Sequence, residues 1–303
     1  MNLSVSIEGQ IKERMKSPLA LLSGHACRLK LLGPDCAEII CQGKKISVLL
    51  DGDNCLCFRL VPVGDAHISG EQALHYAQRH CRRPFPFKYA FRNDGLQLLS
   101  EFWTVESTRP DIMLKHVSAS IRHCTKGATG AHKFIEETLP GKTVADIQAL
   151  LEGLPYGFRP ADSGWVGSFD TQFNFYRIKA AASTVQGLAT IRFEICGDLL
   201  SGDNTRVSDA LALFLLEANA QTRFVRFGLT SPREGHLLPA METVLPLELL
   251  TERSARAHLA ALVVGAARVR AEINALANPD LAEAYLRFSV PAVRLRGEAG
   301  HHE

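Results

Sequence analysis

The two halves of this 303-residue chain carry the same order of predicted elements. That order is helix, strand, strand and long helix. It falls on Glu71–Arg83, Phe85–Phe91, Leu96–Val105 and Met113–Leu139 in the first half, and on Ser208–Asn219, Arg223–Thr230, His236–Leu245 and Glu252–Ala277 in the second. The helix centres are about 137 residues apart, far longer than the repeat unit of a solenoid. The spacing therefore predicts two similar domains in one chain.

Hydrophobic periodicity extends the template towards the start of each half. In the first half, the predicted elements are a helix over Ile7–Leu22 and strands over Ala26–Leu32, Ala37–Cys41 and Ile46–Leu50, with Cys55–Val63 as a fourth candidate strand. In the second half, they are a helix that begins at Thr143 and ends at Gly153, and strands over Trp165–Phe169, Phe173–Ile178 and Leu188–Ile195. Asp146, three residues after Thr143, predicts a capping box at that helix start.

These elements predict an α+β protein of two similar domains, each an antiparallel sheet packed with helices in the order α-β-β-β-α-β-β-α. The predicted boundaries are residues 1–140 for the first domain and 141–288 for the second, with a flexible tail over 289–303. Asp280–Phe288 is a candidate short helix before that tail.

Charge and hydropathy point to a cytoplasmic chain. The 34 basic and 32 acidic residues nearly balance, so charge alone does not call for a nucleic-acid partner. No apolar run reaches the roughly 18 residues that a membrane span needs, and the first residues lack the pattern of a secretory signal.

The eight cysteines are predicted to be free thiols in a reducing compartment. Only Cys36 and Cys41 have the spacing of a structural zinc pair, and His25 and Cys27 are too close together to complete the site. Apolar neighbours favour core thiols over a metal centre. The motifs for nucleophilic hydrolysis, phosphate binding, zinc proteolysis and dinucleotide binding are not found in the sequence. We therefore expect no catalytic, cofactor-binding or metal-binding residues.

Aromatic residues on the predicted strands are the candidate partner-binding set. They are Phe85, Phe87, Tyr89, Phe91, Phe102, Trp103, Trp165, Phe173 and Phe175. The competing interpretation is that these rings are buried beneath helices, because a sheet covered on one side must bury one apolar face.

The second half carries a further set of local features. A helix ends in Leu216-Glu-Ala-Asn219, a strand runs over Arg223–Phe227, a return strand ends in Leu245-Pro246-Leu247, and Leu250-Thr251-Glu252 opens a long alanine-rich helix. In this order they resemble the fold of type III secretion chaperones and the related YbjN-like domains. The resemblance covers Lys142–Ala277, and reaches Ile7–Leu139 through the repeat.

The resemblance implies a binding role, since such chaperones hold an extended segment of a secreted protein on apolar grooves without nucleotide. Secretion chaperones are small acidic homodimers. Here two similar domains of a near-neutral chain would take the place of two subunits, in a monomer with pseudo-twofold domains or in a homodimer. The expected function is a non-catalytic, secretion-chaperone-like adaptor for a protein partner. The alternatives are a structural or regulatory scaffold subunit of a bacterial assembly, and an enzyme whose site is not visible as a motif.

Overall fold

The computed structural model shows an α+β protein in which two antiparallel sheets pack with helices. The residues described are 28–32, 36–41, 44–50, 55–60, 68–79, 87–92, 95–103, 133–134, 142–170, 175–185, 188–201, 203–289 and 293–294. The predicted helix Ile7–Leu22 lies outside them.

The first sheet has the strand order β1-β2-β3-β4-β7-β6. Its strands are β1 (Arg28–Leu31), β2 (Cys36–Cys41), β3 (Lys44–Leu50), β4 (Cys55–Leu60), β6 (Phe87–Arg92) and β7 (Gly95–Trp103). All neighbouring pairs are antiparallel. Four strands thus form a meander, and the return strand of the last hairpin closes against the fourth.

The second sheet repeats this order as β9-β10-β11-β12-β15-β14. Its strands are β9 (Arg159–Ala161), β10 (Gly164–Asp170), β11 (Phe175–Val185), β12 (Leu188–Cys196), β14 (Arg226–Thr230) and β15 (His236–Pro246). Two short strands add to it, because β8 (Lys133–Phe134) pairs with β11 and β13 (Leu200–Ser201) pairs with β15. The two sheets therefore share a strand order. The predicted order α-β-β-β-α-β-β-α is one strand short in each half, because β1–β4 and β9–β12 each place four sheet strands before the helix that precedes the last hairpin.

A third, two-stranded sheet ties the end of the chain to the first half. There β16 (Val293–Arg294) pairs in parallel with β5 (Ile68–Ser69).

Five α-helices lie in the described part of the chain. They are α1 (Gly70–Arg79), α2 (Val144–Glu152), α3 (Thr205–Gln221), α4 (Glu252–Leu276) and α5 (Pro279–Phe288), with a 3-10 turn at Leu247–Leu249. Within the described ranges, no helix has the length and apolar character needed to cross a membrane.

The helix starts follow the local capping chemistry. The predicted capping box is confirmed: the amide of Thr143 donates to Asp146 Oδ2 at 2.7 Å, and the amide of Asp146 donates to Thr143 Oγ1 at 3.1 Å. The helix predicted over Ser208–Asn219 begins earlier than predicted, at Thr205. Asn204 is the cap, its side-chain oxygen accepting from the amides of Arg206 and Val207.

The long closing helix predicted over Met113–Leu139 is wrong at its end. Lys133 and Phe134 form a strand against Ser183 and Thr184 of β11, and the rest of the predicted helix lies outside the described residues. The glycines at 127 and 130 explain the error, because glycine weakens a helix interior.

One cluster of buried residues runs through both halves. Helix α3 packs against α1 and against β6, so the second half covers an edge strand of the first. The rings of Tyr76 on α1 and Tyr89 on β6 meet with centroids 4.9 Å apart. The two sheets therefore share a core through α1 and α3.

Candidate functional site

The first sheet buries one face and presents the other outward. Side chains alternate between the faces along each strand. On the inner face, one cross-strand set is Ala37, Val48 and Phe58, and Tyr89 and Leu98 pair on the last hairpin; all five are buried. We call the opposite side of this sheet the outer face.

The outer face exposes three large apolar side chains, which we call the apolar patch. Leu32 is 53% exposed, Ile40 41% and Leu49 51%. The amide of Leu32 donates to the carbonyl of Cys36 at 3.0 Å, and Cys36 lies opposite Leu49 in the register. Leu32 and Leu49 therefore flank Cys36 in one row across the first three strands. Ile40 lies four residues further along β2, opposite Lys45, and the row of Lys30, Glu38 and Ser47 separates it from the two leucines.

The row that contains Leu32, Cys36 and Leu49 continues inward to the junction between the halves. Leu49 lies opposite Cys57, and Cys57 lies opposite Glu101 on β7. Glu101 Oε2 accepts the amide of Phe224 at 2.7 Å and lies 2.9 Å from Lys88 Nζ. The outer face is thus exposed at one end of the row and covered by the second half at the other.

Lys88 fixes the chain segment that covers this end. Its ammonium group is almost completely buried and donates to the carbonyl oxygens of Thr222 and Val225, the latter at 3.3 Å. A buried charge of this kind requires several partners, and both halves supply them.

Phe224, within that segment, has an unfavourable backbone conformation. Its φ is +59°, a region that residues other than glycine rarely adopt. The hydrogen bond to Glu101 holds its amide, while its ring packs beside His258 of α4 at a centroid distance of 5.3 Å. His258 Nδ1 is in turn hydrogen-bonded to Thr243 Oγ1 at 2.7 Å.

Asn219, at the end of α3, forms a second link between the halves. Its side-chain amide donates to the carbonyls of Tyr89 on β6 at 2.8 Å and Phe227 on β14 at 2.9 Å. Its oxygen accepts the amide of Phe227 at 2.7 Å. One fully buried side chain therefore bridges the corresponding strands of the two sheets.

Three titratable groups in this part of the molecule, Cys57, Cys196 and His258, are neutral near pH 7. Burial, assisted by the charge of Glu101, raises the pKa of the Cys57 thiol to about 11. Burial and the neighbouring Glu194 raise the pKa of Cys196 to about 12. Burial lowers the pKa of His258 to about 4. Neither thiol is thus activated as a nucleophile, which requires the thiolate, and this histidine remains uncharged.

The described residues contain no cluster of side chains that could bind a metal ion. Within those ranges, no three or more histidine, cysteine, aspartate or glutamate side chains come together in a way that could hold an ion. The Cys36–Cys41 pair lies on β2, while His25 and Cys27 are outside the described residues.

The outer side of the second sheet differs from that of the first. Arg226 and Glu242 form a buried ion pair there, with 2.6 Å between Arg226 Nη2 and Glu242 Oε2. Arg192 lies 3.5 Å from Glu194 and 3.8 Å from Glu242. Paired charges therefore fill the outer side of this sheet along β12, β15 and β14.

The aromatic residues predicted to bind a partner differ in their exposure in the structure. Tyr89, Phe91 and Trp165 are buried, so these rings belong to the core and not to an exposed partner-binding face. Phe175, at the start of β11, is 63% exposed. Phe87 lies in β6, and Phe102 and Trp103 in β7. Phe85 and Phe173 lie outside the described residues.

The sequence did not single out Leu32, Ile40 and Leu49 as functional residues. The feature of the sequence that could have indicated them is that each is an apolar residue next to a strand position that faces the core, as Leu49 is next to Val48. Such two-sided apolar strands are typical of a sheet covered on both faces, so an uncovered face becomes evident only in the structure.

Comparison with known proteins adds little to these observations. No known protein family and no curated protein matches the chain. A solved structure of the di-domain ARO/CYC StfQ from the steffimycin biosynthetic pathway aligns over 91% of this chain and 96% of its own, with 11% identity and a TM-score of 0.15.

Proposed function

We propose that this chain is a non-catalytic, cytoplasmic protein-binding module of the secretion-chaperone kind, which holds an extended segment of a partner protein on the outer face of its first sheet. The observation that carries the proposal is the apolar patch formed by Leu32, Ile40 and Leu49. Leu32 and Leu49 flank Cys36 in one row of this face, and grouped exposed apolar side chains are typical of interaction surfaces.

The shape of this surface suits an extended chain. The patch lies on three adjacent antiparallel strands, with Leu32 and Leu49 in one cross-strand row and Ile40 four residues along β2 from that row. In an extended segment, alternate side chains point the same way, and several can contact such a surface together. Burial of apolar area would supply most of the binding free energy.

The chemistry of the described polar groups also favours binding over catalysis. Cys57 and Cys196 remain protonated thiols, and His258 is neutral and enclosed. In each half the buried ion pair, Lys88–Glu101 or Arg226–Glu242, is engaged within the fold. These groups hold the structure together instead of meeting around an open space.

The test uses a generic unfolded partner with the full-length chain. Reduced, carboxymethylated α-lactalbumin, labelled with a fluorophore, is titrated by anisotropy with the chain, and the native form of the same protein serves as the folded competitor. We expect the unfolded form to bind and the native form not to compete. A patch variant, Leu32→Thr with Leu49→Thr, should lower the affinity at least about tenfold, because it removes apolar area from two exposed positions.

The matched control is Leu281→Thr, an exposed apolar residue on α5 that is not among the candidate binding residues. It should bind like the wild type. Unchanged affinity in the patch variant would contradict the proposal. Binding of the native form alone would favour the scaffold function.

A further inference from the structure

The outward face of helix α4 is apolar over most of its length. Val264, near the middle of the helix, is 67% exposed. Four alanines are exposed with it, and at about 100° per residue all four lie within about 60° of Val264 around the helix axis; they are Ala260, Ala267, Ala271 and Ala275. We call these five residues the α4 contact face.

Packing within the fold explains the other side of α4 but not this face. Leu262, Val269 and Ile273 are buried, on the side where the helix packs against β15 and β12. A surface helix normally presents polar side chains to water. Alanine suits an exposed position because of its helix propensity, but valine loses side-chain freedom in a helix and here exposes its apolar surface. Val264 is therefore the residue that indicates a further contact.

Two opposite charges flank this face symmetrically about Val264. Arg256 lies eight residues before it and Glu272 eight residues after it. Eight residues correspond to about 12 Å along the axis and leave the two side chains about 80° to opposite sides of Val264. A twofold axis through Val264 reverses both the direction along the helix and the side. It therefore brings Arg256 of one copy beside the partner subunit's Glu272, twice in one dimer.

The contacts of these side chains within one chain are compatible with this pairing. Arg256 Nη2 lies 2.7 Å from Glu252 Oε1, in a pair whose side chains are 48% and 61% exposed. A guanidinium group has five N–H donors, so Arg256 can bind a second carboxylate and keep Glu252. Glu272 is exposed, and among the described residues it has no ion-pair partner. Arg268, on the same helix, donates to Gln221 of α3 at 3.1 Å, which holds its charge beside α3.

We propose that two copies of this chain form a homodimer in which their α4 contact faces pack antiparallel across a twofold axis at Val264. A twofold interface requires a surface complementary to itself, and this face has an apolar centre with opposite charges at its two ends. Alanines permit an interaxial distance of about 8 Å. A parallel pair would place Arg256 opposite the partner subunit's Arg256. The inference goes beyond the proposed function and does not depend on it, because no residue of the apolar patch takes part.

Sedimentation velocity of the full-length chain at increasing concentration measures the association. We expect a monomer–dimer equilibrium. Val264→Glu should weaken it at least about hundredfold, because two carboxylates would meet on the twofold axis. The matched control is Leu281→Glu, which adds the same charge at another exposed apolar residue, on α5, and should dimerise like the wild type. Circular dichroism checks that both variants are folded.

An exchange of charge between two variants tests the register and leaves the apolar centre intact. Arg256→Glu alone and Glu272→Arg alone should each weaken dimerisation about tenfold, because each places like charges opposite one another. An equimolar mixture of the two variants should form heterodimers about as tightly as the wild type, since each carboxylate then faces a guanidinium group. If Val264→Glu does not fold, this mixture decides. A mixture that associates no better than the single variants contradicts the inference, and one that associates more tightly than the wild type indicates parallel helices and also contradicts it.

Three further results would overturn the homodimer. The wild-type chain could remain monomeric at every concentration, or a folded Val264→Glu variant could dimerise like the wild type. A dimer that is lost in the patch variant, Leu32→Thr with Leu49→Thr, and kept in Val264→Glu would show that the apolar patch joins the two copies instead. The proposed function is tested separately, by the binding of unfolded α-lactalbumin.

Discussion

The two sheets share a strand order and an apolar inner face but differ on their outer sides. In the first sheet, the outer side exposes Leu32, Ile40 and Leu49. In the second, Arg192, Glu194 and Glu242 form a network on β12 and β15, the equivalents of β4 and β7, and Phe175 on β11 is exposed. The same backbone plan therefore carries two different surfaces.

The difference shows which constraints come from the fold and which do not. Both sheets place a basic residue on the first strand of the last hairpin and a glutamate on the second, as Lys88–Glu101 and Arg226–Glu242. These pairs lie where each hairpin is buried. On the strands further from the junction, packing within the fold no longer dictates the residue, and the exposed apolar side chains there are the ones that the proposed binding function would use.

The largest expected effect is a loss of stability when a carboxylate is removed from one of the two buried ion pairs, and the loss should differ between the pairs. Glu242→Gln should lower the free energy of unfolding by about 4 kcal/mol, because it leaves the Arg226 charge buried without its carboxylate. Glu101→Gln should cost about 2 kcal/mol, because Lys88 keeps the carbonyls of Thr222 and Val225 as acceptors. Urea unfolding measures both values. An equal or greater loss in Glu101→Gln would show that the comparison of the pairs is wrong.

Asn219→Ala tests the link between the sheets. The change should cost about 3 kcal/mol, because it leaves the amide of Phe227 and two carbonyls buried without their partner. The control is Asn204→Ala, which removes only a helix cap. Urea unfolding should remain a single transition in both variants, and a small loss in Asn219→Ala would contradict the bridging role.

The buried imidazole of His258, in the second half of the chain, should make the free energy of unfolding depend on pH. Its folded pKa of about 4 is below its ordinary value of 6.5, so the unfolded chain binds the proton more readily. The contribution is complete above pH 6.5 and is lost as the pH falls towards 4. Between pH 7 and 4.5 the loss should be about 2 kcal/mol, measured by urea unfolding. His258→Gln should remove this part of the slope, and an unchanged slope would argue against a buried neutral imidazole.

The smallest expected effect is the loss of stability when the N-terminal cap of α1 or of α3 is removed. These two helices precede the last hairpin of each half. The amide of Gln72 donates to Ser69 Oγ at 3.1 Å, and the amide of Ser69 donates to Gln72 Oε1 at 2.8 Å. Ser69→Ala and Asn204→Ala should each cost about 1 kcal/mol, measured by thermal unfolding. A much larger loss at Ser69 would indicate that the nearby β5–β16 pairing depends on this cap.

The sequence predicted the elements whose signals are local. The last hairpin of each half, the start of α4 at Thr251 and the capping box at Thr143 were all evident from turn, capping and periodicity rules. The strand Phe173–Ile178 was predicted too short, since β11 continues through a run of alanines to Val185, where pairing with β12 outweighs propensity. Short β9 gave no periodic signal.

The candidate site was harder to predict than the fold. The aromatic residues of the predicted strands were candidates with burial under a helix as the competing interpretation, and Tyr89, Phe91 and Trp165 are buried in the core. The roles of Lys88 and Glu101 depend on a segment more than a hundred residues away in the chain. Neither contact has a periodic or motif signal, so they could not be read from the sequence. The domain boundary near residue 140 remains a prediction.

The bridge made by Asn219 also has a consequence for synthesis on the ribosome. Tyr89 and Asn219 are 130 residues apart, which at ~5–20 residues per second corresponds to a delay of about 7–26 s. During that interval, the nascent first half has β6 without the helix that later covers it. A newly made chain therefore passes through a period in which its own unfinished sheet edge is open to premature association, and slower translation would lengthen that exposure.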